Sequence, residues 1–192
     1  MLTSDSEDEV LAISERLNNL NKQRQNIEET VLFEAINIIE DNISNKKLNT
    51  IPNSLIALGE NWHLGVLGIV ASRLKDKYYR PSFVISDSEG KLTGSARSIS
   101  GIDVGKLIIK GVNKKLLLSG GGHKMAAGFS LNHNTFESFK DFCEEEVYLQ
   151  SNSTSLNKIS YYDEIIDSSI INRDLYDLIN VASPYGQGNP EP

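Results

Sequence analysis

The sequence predicts an α/β fold, a central sheet flanked by helices and preceded by one long N-terminal helix. Two observations carry this. Between Leu55 and Leu131, short apolar or alternating runs of strand character are separated by segments of helical spacing and by turn residues. Ahead of them, apolar residues recur at Ile13, Leu17, Leu20, Ile27, Val31, Ala35 and Ile38 among charged and amide residues, mostly three or four apart. A chain of 192 residues is long enough for one domain of moderate size with appendages and a buried core.

The elements follow in order. Ser4-Asp5-Ser6-Glu7 has the form of a capping box, with acidic residues in the first turn where the helix dipole favours them. A helix from about residue 5 to 43 would be roughly 58 Å long at 1.5 Å per residue. That exceeds a small domain, so part of it is expected to pack on something else, with a coiled-coil dimer as the structural alternative. After a polar break at residues 45–49, Leu55–Gly59 reads as a short buried strand, Asn61–His63 as a turn and Leu64–Lys77 as a helix ended by Pro81. In that helix Gly65, Gly68 and Ser72 make a narrow face on which another backbone can come close. Ser82–Ser86 is a strand, Asp87–Gly90 a turn, and Lys91–Ser98 an alternating strand. Helix 103–114, with Asp103 as its cap, and strand Leu116–Leu118 lead into a glycine loop. Phe129–Leu131 is a further strand. Asn134 opens an amphipathic helix with Phe136, Phe139, Phe142 and Val147 inward, and Cys143 beside that stripe reads as a core thiol. Residues 150–157 read as a linker, 158–162 as a strand, 172–181 as a short helix, and 184–192 as loop.

Composition narrows the function. The net charge of −7 gives no overall basic field, so any contact with a polyanion must come from a local patch. One cysteine excludes an internal disulfide and fits a reducing compartment. No apolar run approaches a membrane span, and the acidic, polar N-terminus is wrong for a signal peptide; a cytoplasmic protein with no membrane partner is expected. One Cys and scattered histidines give no zinc-ligand spacing.

Two local patterns point to phosphate. Lys91, Thr93, Ser95 and Arg97 share one face of the alternating strand, and a guanidinium beside two hydroxyls suits phosphate oxygens. A solvated edge-strand face gives the same pattern. Gly120-Gly121-Gly122 followed by His123 places successive backbone N–H groups where a turn could form an anion nest, with His123 at its mouth. An ordinary loop with a solvated histidine is the plainer reading.

The motifs Trp62-His63-Leu64-Gly65-Val66-Leu67-Gly68-Ile69-Val70-Ala71-Ser72-Arg73-Leu74, Gly94-Ser95-Ala96-Arg97-Ser98 and Gly120-Gly121-Gly122-His123-x-x-Ala126-Ala127-Gly128 occur in that order. Together they resemble the DHH-associated domain of the RecJ family, single-strand-specific 5′→3′ DNA exonucleases of the DHH phosphoesterase superfamily. The closing Pro184-Tyr185-Gly186-Gln187-Gly188-Asn189-Pro190-Glu191-Pro192 resembles the segment where those proteins enter an OB-fold. The resemblance implies a mixed central sheet. It divides the chain into a connector helix (1–47), a substrate-binding domain (48–150), and a linker with the start of the OB region (151–192). It also implies single-stranded DNA as the partner and a two-metal site, using Mn²⁺ or Mg²⁺, in a DHH catalytic domain. Such a site needs a cage of carboxylates and imidazoles. The only histidines are His63, His123 and His133, with no Asp-His-His among them. The chain by itself is therefore expected to bind no metal and to lack nuclease activity. Ser95, Arg97, Gly120, Gly121, Gly122, His123 and His63 are then the substrate-binding residues, with His123 also supporting catalysis opposite the metals. The same loop occurs in nano-RNase-like and cyclic-dinucleotide phosphoesterases, and a non-catalytic single-strand-binding module is the third reading.

Overall fold

Five strands make a single mixed sheet in the order β1-β2-β3-β5-β4. The computed structural model describes residues 6–45, 51–151, 156–158, 162, 164–186 and 188–191. The strands are β1 (Leu55–Glu60), β2 (Ser82–Ser88), β3 (Lys91–Arg97), β4 (Ser119–His123) and β5 (Ala126–Leu131). Only β1 and β2 run parallel, joined by the crossover helix α2 (Leu64–Tyr78); every other pair is antiparallel. The β2–β3 hairpin turns on Glu89 and Gly90, both at positive φ (54° and 78°), as a two-residue primed turn requires.

Two hydrophobic layers sandwich the sheet. On one side α1 (Glu7–Asn45) and α2 pack on Leu55, Ala57 and Val84. On the other, α3 (Val104–Asn113) and α4 (Phe136–Gln150) pack on Phe83, Ile85, Leu92 and Phe129. Phe83, Phe129 and Phe139 meet there with ring centroids 5.2–6.2 Å apart, within the range for favourable aromatic pairs. Asp103 caps α3, accepting from the Lys106 amide at 2.9 Å. Glu144 of α4 pins the start of β1: its two carboxylate oxygens accept from the amides and side chains of Asn53 and Ser54 at 2.8–2.9 Å.

The long helix is present, but its buried seam is Glu28, Val31, Ala35 and Ile39. Leu17, Leu20 and Ile27, from the apolar stripe read in the sequence, are exposed. Glu28 is buried between two arginines: Arg24 donates to Oε2 at 2.5 Å. The Arg73 guanidinium lies 2.6 Å from Oε1, an ion pair without hydrogen-bond geometry. Ser4 of the expected capping box lies outside the described residues.

Three local expectations are corrected. Leu116–Leu118 is not a strand, and the glycine run after it is not a loop. Ser119–His123 is edge strand β4, paired along its length with β5, and none of Gly120, Gly121 and Gly122 has a positive φ. The partner strand satisfies the backbone, and glycine is needed for close approach. A Cβ on Gly120 would lie 2.5 Å from Ile108 of α3, and one on Gly122 2.3 Å from the Ala126 carbonyl. Third, Asn134 lies in a 3₁₀ turn, His133–Thr135, and Thr135 precedes α4. The Thr135 hydroxyl is drawn back to the Leu116 and Asn132 carbonyls (2.8 and 3.1 Å), which winds the chain before the helix proper.

The chain divides into two units, Met1–Leu156 and Asn157–Pro192. Within the second, α5 (Arg173–Asn180) is capped by Asn172, which accepts from the Leu175 amide at 3.0 Å. Asn189 ties the following loop by donating to the Ala182 and Pro184 carbonyls. The strand expected at 158–162 falls largely outside the described residues.

Candidate nucleic-acid interface

One face of β3, β5 and β4 is laid out in three cross-strand rows. Thr93, Ser130 and Ser119 form the first; Ser95, Gly128 and Gly121 the second; Arg97, Ala126 and His123 the third. Directly opposed residues of antiparallel strands project to the same side. Hydroxyls, a guanidinium and an imidazole therefore surround a floor of glycine. Arg97 and His123 stand two strand steps apart, roughly 10 Å at 4.7–4.9 Å per step. The floor is open: a Cβ on Gly121 would meet nothing within 4 Å, and one on Gly128 only the Gly94 carbonyl oxygen at 4.0 Å.

Hydrogen bonds hold Arg97, Ser95, Ser119, Ser130 and His123 on the shelf. Arg97 Nη1 donates to Ser95 Oγ (3.1 Å) and to the Ala96 carbonyl (2.9 Å), so the half-buried guanidinium is fixed by neutral acceptors. The Ser119 and Ser130 hydroxyls share a hydrogen bond of 2.8 Å. His123 closes β4 where the chain turns through Lys124 and Met125. Its Nδ1 accepts from the Met125 amide at 3.3 Å, which assigns the proton of the neutral ring to Nε2 and leaves that nitrogen as a donor.

The sequence-predicted residues thus divide by position. Ser95, Arg97, Gly121 and His123 come together on the shelf. Gly120 and Gly122 lie on the same strand, but their Cα–H sides face the α3 layer. The anion nest expected of the glycine run is absent, because the three residues are extended. His63 sits at the N-terminus of α2, where its Nδ1 caps the helix by accepting from the Gly65 amide at 3.1 Å. It stands five residues before Gly68, roughly 7.5 Å along the helix. Trp62 is buried. Its Nε1 donates to Glu34 at 2.6 Å and its ring fills the space a side chain on Gly59 would need, so it wedges α1 against α2 and offers no stacking face.

Sequence reasoning missed the glycine floor at Gly128 and the Thr93–Ser130–Ser119 row, since both depend on strand pairing. A windowed charge count would have added a third signal. Seven of the chain's 19 Lys and Arg, but one of its 26 acidic residues, lie between Gly90 and Phe136. The segment that builds the shelf is thus locally basic in an acidic chain.

Other chemistry has no support from the residues present. Among the described residues no three His, Cys, Asp or Glu cluster as metal ligands, so the donor set does not fit a two-metal cage. Burial, and then the nearby Glu144 and Glu146, push the Cys143 thiol well above its ordinary pKa, so it stays protonated in the core. No helix of the described residues is long and apolar enough to cross a membrane.

Comparison with known proteins places this architecture. The DHHA1 domain model matches residues 35–148, more than half of the chain. The single-stranded-DNA-specific exonuclease RecJ of Haemophilus influenzae is 36% identical over 179 residues, covering 92% of this chain and 31% of that protein. RecJ of Salmonella typhimurium is 31% identical over 195 residues, 100% of this chain and 33% of that protein. The crystal structure of Thermus thermophilus RecJ with Mg²⁺ superposes with a TM-score of 0.75 at 28% identity, covering 98% of this chain and 28% of that one. A manganese-bound exonuclease RecJ superposes with a TM-score of 0.58 at 30% identity, over 79% of this chain and 36% of that one. The chain thus spans about a third of the length of these two curated relatives. With the domain model matching more than half of the chain and a superposable RecJ fold, the chain belongs to the DHHA1 domain family and is RecJ-like, covering the DHHA1 region and not the catalytic domain.

Proposed function

We propose that this chain is the nucleic-acid-binding part of a RecJ-like single-stranded-DNA exonuclease, holding DNA phosphates on the β3–β5–β4 shelf opposite a metal-dependent DHH domain. The observation that carries the reading is Arg97. A charged guanidinium bonded only to neutral groups borders a glycine floor with room for a ligand. Ser95 and Arg97 bind one phosphate, and Nε2 of His123 donates to a phosphoryl oxygen across the floor. His63 adds a second donor at the start of α2. In this reading residues 1–47 connect to the DHH domain, 48–150 bind substrate, and 151–192 lead toward an OB-fold. The Mg²⁺ or Mn²⁺ of the complete enzyme belongs to the DHH domain, whose partner surface here is the shelf.

The buried state of Trp62 counts against a module that binds bases by stacking on it. Short RNA on the same shelf, as in a nano-RNase, is the alternative substrate class.

Arg97→Ala tests the reading by fluorescence anisotropy with oligothymidylate. Losing a charge-assisted hydrogen bond of roughly 1.5–3 kcal/mol, less where solvent screens it, should weaken binding about tenfold or more. The slope of log affinity against log salt should fall by about 1, because one phosphate contact is gone. Unchanged affinity at low salt would return Arg97 to a solvated strand face.

A further inference from the structure

Gly68 lies inside α2, one turn from its N-terminus, where alanine would suit a helix better. The fold explains the exception. A Cβ at residue 68 would lie 2.6 Å from Nη2 of Arg97, 3.3 Å from its Cζ and 3.2 Å from Ser95 Oγ. The guanidinium therefore lies against the bare backbone of α2, while the Ala96 carbonyl and Ser95 hydroxyl hold it from the strand side. The space above Gly68 is the seat of Arg97. It differs from the spaces above Gly121 and Gly128, which no protein atom fills.

We infer that Gly68 is a positioning residue for ligand binding: it leaves the room that fixes the Arg97 guanidinium at the rim of the shelf. The inference rests on the proposed phosphate-binding role of Arg97 and adds the helix residue on which that role depends. A methyl group at 68 cannot coexist with the present guanidinium position. The atom it displaces is the end of a flexible side chain, so Arg97 swings away at little cost to the fold. Stability and binding should therefore part company. The helix gains a better helix former, while the arginine loses the geometry that lets it grip two phosphate oxygens at once.

The experiment compares Gly68→Ala, Arg97→Ala and the double variant in the 192-residue chain. Melting temperature is followed by circular dichroism, and affinity for 3′-labelled oligothymidylate is measured from low to moderate salt. Gly68→Ala should melt at or above the parent temperature, bind about tenfold more weakly, and show the same flattened salt slope as Arg97→Ala. The double variant should bind no more weakly than Arg97→Ala alone, since the methyl group acts only through the arginine. Parent-like affinity and salt slope in Gly68→Ala, beside a weakened Arg97→Ala, would overturn the inference and leave the phosphate reading standing. A lowered melting temperature in Gly68→Ala would overturn it as well, by making the glycine a packing requirement. If Arg97→Ala binds like the parent, the phosphate reading itself fails and the inference falls with it.

Discussion

At His123 one imidazole combines an observed local bond with the outward contact proposed for it. Its Nδ1 accepts a 3.3 Å bond from the Met125 amide in an exposed hairpin, and its Nε2 is left to act outward. The local bond is long and solvated, so its net worth is at the low end of the roughly 0.5–1.5 kcal/mol typical of such bonds. The outward nitrogen matters more if it donates to a phosphoryl oxygen as charge develops there. Losing one such donor costs about 10²–10³ in kcat in the best-measured cases. In a longer chain that includes the DHH domain, His123→Ala should therefore lower kcat by that range while Tm moves little. Steady-state kinetics and melting on the same preparation separate the roles. A destabilised variant with normal kcat would make His123 a hairpin residue only. The histidine was legible in the sequence from its place after three glycines. Its tautomer was not, because that depends on where the Met125 amide falls.

At the scale of elements, α1 is fastened by acids that look like a solvated face in the sequence. Glu28 meets Arg73, Glu34 meets Trp62, and Glu40 meets Lys77 and Tyr78. The Tyr78 hydroxyl, and then Lys77, hold the Glu40 carboxyl below its ordinary pKa. A lowered carboxylate pKa stabilises the fold above the unfolded-state value, and that contribution is lost as pH falls through the folded-state value. Glu40→Gln should thus melt below the parent at neutral pH, and the gap should close as pH drops below the ordinary glutamate range. A gap that stays constant through the acid range would show that the carboxylate charge plays no part. The helical period made α1 legible and caught Val31 and Ala35 of its seam, but it put exposed Leu17, Leu20 and Ile27 on the same stripe. Apolar spacing cannot reveal that a glutamate, Glu28, is buried through two arginines. The glycine run failed for a related reason: composition argued for a turn, and the pairing of β4 with β5 overrode it.

For the whole molecule, the α/β class, the long first helix and the alternation that puts Lys91, Thr93, Ser95 and Arg97 on one face of β3 were legible. Alternation and helical spacing are local properties. The shelf was legible only in part, because strand order β3-β5-β4 brings together residues that are up to 37 positions apart, such as Thr93 and Ser130. The overall charge of −7 also conceals the basic segment from Gly90 to Phe136. In the proposed function this shelf, with His63 at the start of α2, takes the nucleic-acid backbone. Titrating the ¹⁵N-labelled chain with oligothymidylate and following backbone amide shifts tests it most directly. The expected shifts saturate together and concentrate at Ser95, Arg97, Gly121, His123 and Gly128, with α4 and the exposed N-terminal half of α1 silent. Saturable shifts centred on α4 or on the exposed half of α1, with those five amides unmoved, would contradict it.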